Sequence, residues 1–182
     1  MKKLMIVLAA IALAGVTQAA SFDWKTGMGG QVYQPGSTSA TVSGLTAYLF
    51  DSAVTSQSAA FTALSSGTAV TALSGKLDES SVSSGKITVK STKIDWGSAG
   101  DTLSAFFVIV DGDNFYISTL ASGLGDQSST KTLSFSEKTA SQAALNTTGS
   151  YSGAGWYGVP EPTSGLLMLI GLGALALRRR RA

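Results

Sequence analysis

From Ser21 to Gly158 the apolar positions show no sustained 3.6-residue repeat. They fall in short runs, alternating or continuous, separated by Gly, Ser, Asp and Asn, as in strands joined by turns. Lys86-Ile87-Thr88-Val89-Lys90 alternates, with Ile87 and Val89 on the inner face and the lysines in water. Thr132-Leu133-Ser134-Phe135-Ser136 repeats that pattern. Leu45 to Phe50 and Ala105 to Val110 are more continuous, which predicts central strands covered on both faces. Asp111-Gly112-Asp113-Asn114 lies between Ala105–Val110 and Phe115–Ser118 and predicts a hairpin. In Ser56 to Ser65, Phe61 and Leu64 stand at i, i+3 and Ala60 and Leu64 at i, i+4, so a short helix is expected, with a second over Thr139 to Leu145. The expected fold is mainly β, a β-sandwich-like domain with one or two short helices over residues 21–146. Residues 147–158 read as a spacer in which Tyr151, Trp156 and Tyr157 are able to dock.

The two ends of the chain follow different rules. Lys2 and Lys3 precede an apolar run, Leu4 to Gly15, too short to span a bilayer comfortably. Thr17-Gln18-Ala19 then places small residues at the −3 and −1 positions of a cut. Residues 1–20 are therefore expected to be a secretory signal peptide, cleaved after Ala19 with Ala20 as the alternative, and the export translocon and signal peptidase are the implied partners. At the other end, Val159-Pro160-Glu161-Pro162 leads into an uncharged stretch carrying Leu166, Leu167, Leu169, Ile170, Leu172, Leu175 and Leu177. Arg178, Arg179, Arg180 and Arg181 then follow. The prolines fix a helix start near Thr163. A helix over 163–177 would be about 22 Å long at roughly 1.5 Å per residue. The ~30 Å hydrocarbon core is thicker, and snorkelling arginines with local thinning would close the gap. The arginines remain in the cytoplasm by the positive-inside rule, so the tail acts as a stop-transfer element.

Val-Pro-Glu-Pro, a short apolar helix and a terminal arginine cluster, in a chain that opens on a signal peptide, closely resembles the PEP-CTERM sorting signal. The resemblance covers residues 159–182. It implies that the tail is a substrate of exosortase, a membrane transpeptidase-like enzyme, cut near Pro160-Glu161-Pro162. It also implies an exported domain held at the inner membrane before sorting and then passed to the cell surface or an extracellular matrix. These motif residues would be substrate for another enzyme, not catalytic groups.

Charge narrows the function further. The chain is formally +2, yet between Ser21 and Gly158 seven lysines face ten acids, a net of −3. The basic residues sit where targeting signals put them, so no nucleic-acid partner is expected. There is no histidine and no cysteine, which excludes Ser-His-Asp and Cys-His nucleophiles, imidazole metal sites and disulfides. Asp51, Asp78, Glu79, Asp95, Asp101, Asp111 and Asp113 are candidates for an acid–base pair of glycosidase type, but their turn and strand-end settings favour solvated carboxylates. Asp111, Asp113 and Asn114 suggest calcium, yet position 12 of an EF-hand count is Ser122, where a glutamate would be needed. Gly75-Lys76 and Gly85-Lys86 lack the earlier glycine of a phosphate loop, Val70 and Ser80 standing in its place. Asn146-Thr147-Thr148 matches a glycosylation acceptor that rarely applies in bacteria. Trp24, Trp96 and Trp156 offer a sugar-stacking platform, although core packing uses aromatics more often. The expectation is a non-enzymatic surface or matrix protein without a cofactor. The alternatives are an exopolysaccharide-binding module and a glycosidase-like enzyme.

Overall fold

The longest strand is also the most apolar. The computed structural model describes residues 19–159 except 29, 89–92, 127, 138–143 and 148, and Thr102–Asp111 crosses the middle of that region. Its residues alternate between two apolar layers: Leu103, Ala105, Phe107 and Ile109 belong to one buried cluster, Phe106 and Val108 to another. A strand whose two faces are both covered gains from being apolar at every position, and this one has five consecutive fully buried side chains, Ala105 to Ile109.

In chain order the described elements are β1 (Ala19–Thr26), β2 (Thr46–Asp51), α1 (Gln57–Ser65), a 3₁₀ turn (Val70–Ala72), β3 (Lys76–Ser83), β4 (Lys86–Ile87), β5 (Ile94–Ser98), β6 (Thr102–Asp111), β7 (Asn114–Ile117), β8 (Ala121–Leu124), β9 (Lys131–Phe135), β10 (Leu145–Asn146) and β11 (Gly155–Gly158). Two sheets form. The smaller has the order β5-β1-β9, with β1 antiparallel to β5 and parallel to β9. The larger runs β10-β11-β7-β6-β2-β3-β4, and β8 pairs with the Thr102 end of β6 beyond β7. At the step from β7 to β8, the Ser118 hydroxyl accepts from Phe107 N–H at 2.8 Å and Ser118 N–H donates to Phe107 O at 3.0 Å, so the ladder continues through the break.

Phe22, Trp24, Leu133 and Phe135 of the small sheet pack against Leu49, Leu103, Phe107 and Tyr116 of the large one. The far face of the large sheet carries Phe50, Phe106, Phe115, Ile117 and Tyr157, and α1 covers it with Ala60, Phe61 and Leu64. The layers are thus sheet, sheet and helix, and the fold is mainly β. α1 begins where the sequence places it because the Ser56 hydroxyl accepts from Ala59 N–H at 3.2 Å.

The central strands and the hairpin match expectation. Asp111 pairs with Asn114, so the loop is Gly112-Asp113. Gly112 has φ +58°, the arrangement of a II′ turn with glycine first. Three expectations need correction or fall elsewhere. The second helix over Thr139 to Leu145 lies mostly outside the described residues, and its last member, Leu145, opens β10. In the run 86–90, strand pairing covers Lys86 and Ile87, while Val89 and Lys90 lie outside the described residues. Within the spacer expected over 147–158, residues 151–158 belong to the fold. β11 pairs antiparallel with β7 and parallel with β10, and Trp156 and Tyr157 are buried. Two adjacent large aromatics in that segment bury more apolar surface by joining the sheet than an exposed linker would allow.

The ends of the described chain reach opposite ends of β6. Ala19 pairs with Ser98, Gly100 N–H bonds to Gly125 O, and Gly125 N–H bonds to Asp101 O, all beside Thr102. Val159 N–H bonds to Asp113 O at 2.6 Å, beside Asp111. Ten strand residues at roughly 3.4 Å each separate these poles by about 30 Å.

Candidate functional site

The tryptophans span the layers. The Trp24 indole on β1 donates to Asp78 Oδ2 on β3 at 2.7 Å, and Trp96 on β5 donates to Asp51 Oδ2 at the end of β2 at 3.0 Å. Each joins the small sheet to the large one. Trp156 donates to the Tyr33 carbonyl at 2.7 Å and holds the 27–45 connection against β11. Trp24 and Trp156 are buried and Trp96 is half-buried, so the exposed three-tryptophan platform is not formed. Core burial with a satisfied N–H explains these residues.

The candidate carboxylates are spread over the fold. Asp51 also accepts from Ala53 N–H, Glu79 pairs with Lys76 at 3.2 Å on the surface, and Asp101 accepts from Ser98 N–H at 2.7 Å in a turn. Asp95 is exposed on β5, Asp111 precedes the II′ loop, and Asp113 is the second residue of that loop. Asp51 and Asp78 are therefore not solvated turn residues, because indole donors hold them between the sheets. Among the described residues no three His, Cys, Asp or Glu side chains converge as a metal cluster. Gly75 and Gly85 both have positive φ and open strands. With Ser84, also at positive φ, Gly85 forms the two-residue turn between β3 and β4.

One carboxylate outside that list is the most buried of all. Glu137 follows β9 and has no exposed surface. It accepts from the Tyr116 hydroxyl, from Thr119 N–H at 3.0 Å and from the Thr119 hydroxyl at 2.9 Å. Burial drives its pKa above the ordinary glutamate value, and the three donors pull the other way. Burial and the neighbouring Glu137 also raise the Tyr116 hydroxyl. No sequence signal marks Glu137: Phe135-Ser136-Glu137 looks like a strand running out into solvent. Its donors come from 18 and 21 residues upstream. All its partners are internal, so it serves as a tie between β7, the β7–β8 step and the end of β9.

The C-terminal exit combines fold and chemistry. β11 lies between β10 and β7. Tyr157 packs edge-on against Phe61 of α1 at 4.9 Å and stacks on Phe115 at 5.7 Å, and Tyr151 joins the same group. Burial lifts the Tyr151 hydroxyl to about 12. The Tyr157 hydroxyl donates to Gly153 O and accepts from Ser152 N–H at 3.1 Å, and Asn146 Nδ2 donates to the Ser152 hydroxyl. Residues 151–157 are thereby folded onto the sheet. Gly158 pairs with Asn114, and Val159 bonds to the loop carbonyl of Asp113. Two grooves flank Val159. One, of about 280 Å³, lies between the 67–71 segment and the β6–β7 loop. The other, of about 360 Å³, lies beside Leu145 and Asn146.

A β domain whose last strand runs without a linker into Pro-Glu-Pro, an apolar run and four arginines is a folded cargo with a C-terminal sorting signal. Residues 158–181 match the PEP-CTERM protein-sorting motif, so the chain carries that motif and exosortase is the processing partner it implies. Comparison with curated proteins and with solved structures gives no match. Among the described residues no helix is long and apolar enough to cross a membrane. Pro160, Glu161, Pro162, the helix expected over 163–177 and the arginines lie outside the described residues. Ala19 and Ala20 open β1, Ala19 exposed and Ala20 buried.

Proposed function

We propose that this protein is an exported, non-enzymatic surface or matrix component. Its domain is delivered by a signal peptide, held by the C-terminal tail, and released from that tail by exosortase near Pro160-Glu161-Pro162. The observation that carries this reading is how closely the last described strand approaches the motif. Among the described residues, the last buried aromatics are Trp156 and Tyr157, and the last backbone bond runs from Val159 N–H to the Asp113 carbonyl of the β6–β7 loop. A cut at the motif therefore removes no described element. The commitment of Asp51 and Asp78 to indole donors and of Glu137 to three internal donors supports a non-enzymatic role. Burial of Trp24 and Trp156 leaves the exopolysaccharide reading without the platform that motivated it.

The test is the intact mass of the protein recovered from host envelope and medium. The expected species begins at Ala20 and ends near Pro160. Recovery only of a species that still carries Leu166 to Ala182 would replace the cleavable tail with a permanent anchor.

A further inference from the structure

The sorting motif starts within the last described strand. The match begins at Gly158, a strand residue paired with Asn114, and Val159 is bonded to Asp113 O. The three residues Pro160 to Pro162 reach at most about 11 Å from there when fully extended. Freeing more chain would strip β11 from both neighbours and expose Trp156 and Tyr157, which are among the largest fully buried side chains. An enzyme that encloses a peptide on both sides of the cut must therefore meet the surface around Val159.

We propose that this pole of the domain, formed by the Gly112-Asp113 loop and the 67–71 segment, is a contact surface for the membrane-embedded enzyme that cleaves the tail. The sorting step then acts on the folded domain with β11 in place. This rests on the reading of the tail as that enzyme's substrate. Two features favour a protein over a lipid surface. The groove on one side of Val159 is bounded by Thr68, Val70, Val110 and Phe115, a mixture of apolar and hydroxyl side chains. The segments that form the pole (64–71, 110–114, 145–147, 149 and 158–159) contain Asp111 and Asp113 and no lysine or arginine, which suits neither anionic headgroups nor a polybasic mode of membrane binding.

The experiment follows cleavage of the full chain in its native host by pulse-chase. Thr68→Arg and Asp113→Arg change exposed side chains and leave the Asp113 carbonyl in place, and thermal melting checks that the fold is kept. Each variant is made in the natural chain and in one with eight Gly/Ser residues inserted between Val159 and Pro160. The expected result is cleavage slowed at least threefold in the directly joined chain, with no such effect once the spacer is present. Unchanged rates in the joined chain, or equal slowing with the spacer, would overturn the contact surface while the tail reading stands. Absence of any cleaved species from the unaltered chain would remove both. If the arginines change binding of the full chain to phosphatidylglycerol vesicles and leave cleavage alone, the bilayer is the occupant and the assignment to the enzyme fails.

Discussion

Glu137 shows how one side chain can be structural and still respond to solution conditions. Its pKa is raised in the fold, so its stabilising contribution is complete below the ordinary glutamate value of 4.5 and is lost as pH rises through the elevated value. Glu137→Gln keeps the volume and removes the charge. Denaturant melts at stepped pH should show the natural protein losing stability above pH 4.5 relative to this variant. A constant difference between the two would contradict that. Glu137→Ala strands the Tyr116 hydroxyl and the Thr119 N–H, at a cost of about 1–3 kcal/mol for each buried group left unpaired. Asp126 behaves oppositely at the surface. Bonds from Ser128 N–H and from the Ser128 and Ser129 hydroxyls hold it at about 2, so its contribution disappears only as pH falls toward that value. Ala20 is a third case. A cut after Ala19 leaves this buried residue as the first of the mature chain. A cut after Ala20 would open a gap beside Gly125, where a methyl group would lie 2.4 Å from the Ala20 Cβ.

Among the elements, β11 makes the sharpest prediction. Trp156→Ala removes a buried indole and its bond to Tyr33 O, a change worth about 3–5 kcal/mol for a core aromatic. It should also loosen residues 145–159 before the rest of the sheet, seen as faster amide exchange at Trp156, Tyr157 and Gly158 than at β6. Uniform exchange across both strands would mean that β11 does not open separately. The same strand marks where sequence reading stops. β2, β6, β7, β9 and α1 are legible because their apolar positions repeat at 2 or near 3.6, or run unbroken through a central strand. β3 (KLDESSVS), β8 (ASGL) and β11 (GWYG) are not, because Ser, Gly and charged residues carry little strand signal and the pairing comes from neighbours already in place. β1 alternates as cleanly as β9, with Ala20, Phe22, Trp24 and Thr26 buried. It starts inside the segment assigned to the signal peptide, and that boundary hides it. The sorting motif was legible because targeting signals are read as linear sequence. The tryptophan–carboxylate bridges were not, because Trp24–Asp78 and Trp96–Asp51 lie 54 and 45 residues apart.

At the scale of the molecule, the two proposed cuts, after Ala19 and near Pro160, would both fall at the margins of the described fold. A chain of residues 20–159 should therefore fold alone and melt within about 2 °C of the full-length protein, a shift corresponding to well under 1 kcal/mol for a domain of this size. Circular dichroism of the two would show a much lower melting point for the short chain if the tail supports the fold.

The opposite placement of the two ends along β6 gives the domain a direction. With the proposed tail in the bilayer, Val159 would be at the root and Ala20 at the tip, about 30 Å outward if β6 stands upright. If residues 1–19 are a leader that is still attached, it would pull that tip back to the same membrane and lay the domain on its side, so upright display would require the leader to be cut. If the tail is then exchanged for an attachment at the surface, the root is the buried end of the display. The end facing outward would then be the tip, where Ser98 to Asp101 and Gly125 gather. If the displayed domain binds a partner, the tip is where a search for that contact should begin.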